Sequence, residues 1–92
     1  MKPKLLIVED EEAIRTELRS ALRDDFTLVF AEGRAEALSA LACERPAVVS
    51  LDLGLPPHPE SSEYGLETLA QIMKTAPATK VAAIERLGGR AI

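Results

Sequence analysis

The sequence has too few cysteine and histidine residues for a disulfide framework or a zinc site. It contains one of each, Cys43 and His58. A lone cysteine excludes a disulfide within the chain, and the two residues together fall short of the four ligands that a structural zinc ion takes. We therefore expect Cys43 to be a small packing residue on a helix and His58 to be a solvated loop residue.

Long apolar runs and a surplus of basic residues are also missing. The longest hydrophobic segments have the length of a strand, and the amino terminus shows no signal-peptide pattern, so we expect neither a membrane span nor export. The net charge of −4 argues against direct binding of nucleic acid, which needs clustered lysine and arginine. We therefore expect a cytoplasmic protein whose partners are cations or basic surfaces.

Short apolar segments recur along the chain and end in acidic or turn residues. They predict strands at residues 4–8, 26–31 and 47–51. Residues 78–84 permit a fourth strand, although residues 82–87 fit a helix equally well. Between 53 and 63, glycine, prolines and serines predict an irregular loop.

Three intervening segments carry apolar side chains at helical spacing. The first covers residues 11–23, with Arg15 and Arg19 on its solvated face. The third is expected to bury Leu66, Leu69, Ala70 and Met73. Strands and helices thus alternate over 92 residues, which favours one small α/β domain with a parallel sheet, helices on both faces and right-handed crossovers.

Acidic residues follow the first and third predicted strands. Glu9 and Asp10 come after the first, and Asp52 ends the third. Ligands of open parallel sheets bind beyond the carboxyl ends of the strands, so these three carboxylates can share one cleft if the second strand lies outside. They would repel one another unless a cation neutralised them, and an all-oxygen set suits Mg²⁺ together with a phosphate oxygen.

Asp52 is the candidate nucleophile of this cluster. A carboxylate can attack phosphorus and form an acyl phosphate, and a bound metal offsets the charge on the transferring oxygens. The neighbouring Glu11 and Glu12 are better explained as acids that favour the amino terminus of the following helix.

The segments "LLIVEDE" and "VVSLDLGLP" resemble the receiver domain of two-component response regulators. The resemblance implies a flavodoxin-like, doubly wound sheet of order 2-1-3-4-5. It further implies that Glu9 and Asp10 bind Mg²⁺, that Asp52 accepts a phosphoryl group from a histidine kinase, and that the Gly54 carbonyl is a further metal ligand. Pro56 stands where the family has its proline.

The resemblance also implies a role in the cell. A receiver is a phosphoacceptor module, modified by a histidine kinase or a phosphotransfer protein, and not an enzyme that turns over a separate substrate. The stretch "DLGLPPHPESSEYGLETL" resembles a subgroup with an extended loop, found in regulators that carry an ATPase and a DNA-binding domain.

We interpret residues 1–92 as a single receiver domain in which residues 1 to about 81 follow the family and 82–92 depart from it. Glu85 stands where the family has a Thr or Ser, and no lysine follows Lys80, so only Arg86 and Arg90 remain as cations. A second alignment instead reads 82–92 as the end of helix four and the corner before strand five. Both alignments predict a sheet of order 2-1-3-4 with strand five and the last helix missing or altered. An exposed edge of that kind predicts a homodimer.

Two other functions compete with phosphoacceptance. A truncated or degenerate receiver could act by protein association alone. A phosphatase with an Asp nucleophile is the third reading, but such enzymes need a second Asp two positions later, where this sequence has Gly54.

Overall fold

The computed structural model describes residues 1–57 and 61–85, which form four strands and three helices. The element order is βαβαβαβ, as the alternation of apolar segments predicts. The elements are β1 (Lys4–Val8), α1 (Glu12–Leu22), β2 (Thr27–Ala31), α2 (Arg34–Glu44), β3 (Val48–Asp52), α3 (Glu63–Thr75) and β4 (Lys80–Ile84).

The strands form one parallel sheet in the order β2-β1-β3-β4. This confirms the predicted flavodoxin-like order 2-1-3-4. In the pair of β3 and β4, Lys80 lies opposite Val48 and Ile84 lies opposite Asp52. Residues 82–84 are therefore strand and not helix. The prediction that strand five and the last helix are missing or altered concerns the end of the chain. Residues 86–92 of that segment lie outside the described part of the chain.

The position of β1 in the middle of the fold explains why its sequence is almost wholly apolar. It pairs with β2 on one side and β3 on the other, and all of its residues from Leu5 to Val8 are buried. Helices α2 and α3 cover one face of the sheet and α1 lies on the other, so β1 has no solvent-facing side for polar residues. The backbone N–H of Glu9 donates to the Ala31 carbonyl at 2.9 Å, which extends the ladder one residue beyond β1.

The main core lies between the sheet and helices α2 and α3. It consists of Leu6, Val8, Ala31, Ala37, Leu41, Val49, Leu51, Leu53, Leu55 and Ile72. Because side chains alternate along a strand, Ile7 points to the other face, where it meets Ile14 and Leu18 of α1. No residue of α1 is fully buried, so this face is the less covered of the two.

Helix α3 buries a stripe that is shifted from the predicted one: of the four predicted residues, Leu69 packs against the core, whereas Leu66, Ala70 and Met73 are exposed. The buried residues are Gly65, Thr68 and Ile72, whereas Leu66 and Met73 are 49% and 55% exposed. The helix is rotated by about one residue relative to the apolar pattern. A close backbone approach at Gly65 and hydrogen bonds at Thr68, both described below, fix this rotation.

The prediction for Cys43 was wrong for a similar reason. Helix α2 faces the core with Ala37 and Leu41, which leaves Cys43 exposed. None of the helices within residues 1–57 and 61–85 is long and apolar enough to cross a membrane.

The rotation of α3 predicts that substitutions at two adjacent residues lower the free energy of unfolding by different amounts. Ile72→Val should lower the free energy of unfolding by about 1 kcal/mol, because it removes a methylene group from a fully buried position. Met73→Gln should change it by less than about 0.5 kcal/mol, since that side chain lies in solvent. Urea denaturation of both variants checks this, and equal losses would contradict the observed rotation.

Candidate functional site

Three carboxylates meet at the carboxyl edge of the sheet. Glu9 and Asp10 follow β1, Asp52 ends β3, and the pairing of Val8 with Leu51 brings the two strand ends level. One oxygen from each of the three side chains lies within 4.8 Å of the others. The topology thus places together the residues that the sequence analysis selected.

Burial and local hydrogen bonds orient two of these side chains. Glu9 and Asp52 are 5% and 3% exposed, and Asp10 is half-buried. Glu9 Oε2 accepts the backbone N–H of Glu11 at 3.1 Å, and Asp52 Oδ1 accepts that of Gly54 at 2.8 Å. Each carboxylate therefore has one oxygen bonded to the chain two residues further on, which restricts its rotamers.

The donor set fits a hard divalent cation. Carboxylate oxygens are the side-chain ligands that Mg²⁺ prefers, and the ion commonly uses only one or two of them beside waters and a phosphate. Three anionic groups this close also favour a cation, because their mutual repulsion is relieved when one binds. Within the described residues, Glu9, Asp10 and Asp52 form the one group of this kind.

Arg15 supports the site, a role that the sequence analysis missed. Its side chain is only 16% exposed, not on a solvated face as predicted. The guanidinium donates to the Glu9 carbonyl at 2.9 Å and lies 3.7 Å from the Glu32 carboxylate. The sequence hints at this burial, because Arg15 follows Ile14, which lies on the side of α1 that turns toward the sheet.

The turn after Asp52 is held by its neighbours. Leu53 donates its N–H to the Ile84 carbonyl of β4 at 2.9 Å, and Gly54 is half-buried. Pro56 lies exposed after the turn, and His58 lies outside the described residues. The path of the chain beyond Asp52 is thus tied to the neighbouring strand.

An apolar pocket of about 180 Å³ adjoins the carboxylates. Its lining consists of Ile7, Val8, Glu9, Ile14, Leu18, Ser50, Asp52 and Ile84. Low-polarity walls strengthen the electrostatic attraction between Asp52 and any cation beside it. Glu85 is exposed and comes directly after β4, at the strand end where the ungapped alignment puts it.

Comparison with known proteins identifies the architecture. The family model of the response regulator receiver domain matches residues 5–87, a range that contains the acidic pair, Asp52 and all four strands except Lys4, the first residue of β1. The chain belongs to this family.

Relatives of the receiver include signalling proteins of several kinds. It is 38% identical over 87 residues to the chemotaxis protein CheY of Listeria monocytogenes, covering 92% of this chain and 69% of that protein. It is 51% identical over 53 residues to the KDP operon transcriptional regulatory protein KdpE of Escherichia coli, covering 56% of this chain and 24% of KdpE.

A solved structure agrees with the fold of the receiver. The response regulator domain of Thermotoga maritima CheB is 28% identical and superposes with a TM-score of 0.78, covering 95% of this chain and 63% of that one. This coverage of 63% means that the receiver spans less than two thirds of the CheB domain chain. Receiver domains are regulatory phosphoacceptor modules of two-component signalling that bind Mg²⁺ in an acidic pocket and interact with histidine kinases or phosphotransfer proteins.

Proposed function

We propose that this receiver takes a phosphoryl group on Asp52 from a histidine kinase or a phosphotransfer protein, with Mg²⁺ bound by Glu9, Asp10, Asp52 and the Gly54 carbonyl. The observation that carries the proposal is the meeting of three carboxylates within 4.8 Å at the carboxyl edge of the sheet. The domain acts in the cytoplasm as a modified module, not as an enzyme with a separate substrate.

The chemistry assigned to Asp52 is nucleophilic attack on phosphorus. A bond forms between a carboxylate oxygen and phosphorus while the bond between phosphorus and the donor breaks, and the donor leaves with its electron pair. Mg²⁺, when bound, neutralises charge on the transferring oxygens. The hydrogen bond from Gly54 to Asp52 Oδ1 limits rotation of the nucleophile.

The two residues of the acidic pair are supported differently. Glu9 is held by the N–H of Glu11 at its side chain and by Arg15 at its carbonyl. Asp10, half-buried, lies closer to solvent. Glu9 would hold the ion through a buried, oriented carboxylate and Asp10 through a half-buried one, and waters would supply further ligands.

The proposal predicts a metal-dependent gain in mass. Incubation with acetyl phosphate and Mg²⁺ should add one phosphoryl group, located in the fragment that contains Asp52, and EDTA should abolish the gain because the three carboxylates then repel the phosphodonor. Intact-mass spectrometry followed by fragment mapping measures this. A folded chain that gains nothing with Mg²⁺, or gains equally with EDTA, would contradict the proposal.

A second candidate is a receiver that acts by association without phosphorylation. It is favoured by the outer side of β4, where Ala82, Ala83 and Ile84 are exposed and no other strand within residues 1–57 and 61–85 pairs with them. Such an edge can join a second copy of the chain into a homodimer. Glu85, whose carboxylate would repel a phosphoryl group, also favours this candidate. A dimer that forms without any mass gain would support it.

A further inference from the structure

Arg34 joins the start of α2 to the start of α3 through four contacts. Its Nε donates to Thr68 Oγ1 at 2.8 Å, and its Nη2 donates to the Tyr64 carbonyl at 2.9 Å and to Glu67 Oε1 at 3.3 Å. The guanidinium carbon lies 3.7 Å from the centroid of the Tyr64 ring. We call Arg34, Tyr64, Glu67 and Thr68 the Arg34 clamp.

The buried part of the Arg34 clamp is its strongest part. Thr68 is fully buried, and its hydroxyl donates to the Tyr64 carbonyl at 2.9 Å while accepting from Arg34. Hydrogen bonds from a charged donor are stronger than neutral ones, and breaking one inside the protein leaves a desolvated polar group. Only arginine combines a planar fork of donors with stacking on an aromatic ring. The clamp therefore sets both the position and the rotation of the first turns of α3.

The first turn of α3 lies directly against the backbone that follows Asp52. A β-carbon added to Gly65 would meet the Leu53 carbonyl oxygen and would lie 2.5 Å from Leu53 Cα and 2.6 Å from its carbonyl carbon. Real side chains do not approach this closely, so the contact exists only because residue 65 has no side chain. Any shift of α3 toward β3 is blocked by Leu53, and any shift away opens a gap beside it.

The Leu53 backbone is thereby enclosed from two directions. Its N–H is bonded to Ile84 of β4, and its other side is covered by Gly65 of α3. The next residue, Gly54, donates its N–H to the Asp52 carboxylate. The position of α3 therefore bears on the orientation of Asp52 and on the peptide that carries the proposed metal ligand.

We propose that Arg34 is a positioning residue for the Asp52–Gly54 turn, acting through Thr68, Tyr64 and the Gly65–Leu53 contact. It touches neither the metal nor the phosphoryl group. This inference rests on the proposed function, because it assigns Arg34 to the geometry of that same site. It also makes a prediction about the turn that holds whether or not Asp52 is phosphorylated.

The first readout is amide hydrogen exchange at Gly54, expressed relative to Ile7 in the central strand of the same sample. A merely structural role would destabilise the whole fold and speed exchange at Ile7 at least as much as at Gly54, so it would not raise the ratio. Thr68→Val keeps the volume and removes the hydroxyl, so it should raise the ratio about tenfold, and Arg34→Met should do the same. Thr68→Ser restores the hydroxyl and should bring the ratio to within about twofold of the wild type. Glu67→Gln alters only an exposed ion pair and should also stay within about twofold.

The second readout is the rate of phosphoryl gain from acetyl phosphate in Mg²⁺, measured where every variant is fully folded. Thr68→Val and Arg34→Met should slow it about tenfold, and Thr68→Ser should not. If Gly54 exchanges at the wild-type ratio in both Thr68→Val and Arg34→Met, the inference is overturned. If the wild type gains no phosphoryl group, the proposed function fails. Exchange at Gly54 then still decides whether Arg34 positions the turn.

Discussion

Gly65→Ala should lower the free energy of unfolding by about 2 kcal/mol or more. The added methyl group would lie 2.5 Å from Leu53 Cα, and the obstacle is backbone, which cannot rotate aside as a side chain can. Inside an exposed helix the same substitution would stabilise by about 1 kcal/mol, because alanine is the better helix former. The sign of the change therefore tests whether α3 contacts Leu53 directly.

Gly33→Ala is the matched control for this substitution. No atom lies within 4 Å of a β-carbon at Gly33, and its φ of −165° is extended backbone that any residue adopts. We expect a loss of less than about 1 kcal/mol there, arising from the weaker capping of α2 by alanine. Chemical denaturation of the two variants gives both values. A Gly65→Ala variant as stable as the wild type would refute the close approach.

Asp52→Asn should abolish the gain of a phosphoryl group completely while leaving the fold intact. An amide oxygen can still accept the Gly54 N–H that Asp52 Oδ1 now accepts, so the turn keeps its hydrogen bond. The neutral amide is not a nucleophile toward phosphorus, and it removes one of three close negative charges. Without metal the variant should therefore melt no lower than the wild type, and added Mg²⁺ should raise its melting temperature less.

Asp24→Asn serves as the control for this second prediction. It removes the same charge from an exposed residue at the end of α1, far from the acidic cluster in the chain. Its mass gain with acetyl phosphate and its melting temperature should match those of the wild type with and without Mg²⁺. A phosphoryl group that still appears on Asp52→Asn would mean that another residue accepts it.

The strands follow from local properties of the sequence, and their order follows from the resemblance to receiver domains. The segment from Leu5 to Val8 is apolar on both faces because helices α2 and α3 cover one face of the sheet and α1 lies on the other. Acids at the ends of β1 and β3 then meet because parallel neighbours end at the same edge. The acidic cluster was therefore predictable once strand order was assigned.

The orientation of α3 was not predictable in the same way. Leu66, Ala70 and Met73 continue the apolar pattern around Leu69 but are exposed, whereas Leu69 itself packs against the core, and the pattern alone does not reveal this difference. The orientation is set by Gly65 against Leu53 and by Arg34 on Thr68, contacts between residues far apart in the sequence. The place of Arg15 beside Ile14 hints at its burial, but its hydrogen bond to the Glu9 carbonyl was not predictable, because a backbone acceptor has no signature in the sequence.

The stacking of Arg34 on Tyr64 also has a spectroscopic consequence. The protein contains no tryptophan and one tyrosine, and the guanidinium carbon of Arg34 lies 3.7 Å from the centroid of that ring. Ultraviolet emission near the start of α3 therefore comes from a single chromophore with a cation over its face. The receiver carries an intrinsic optical reporter in the segment that borders its acidic cluster, so titrations can be followed without a label.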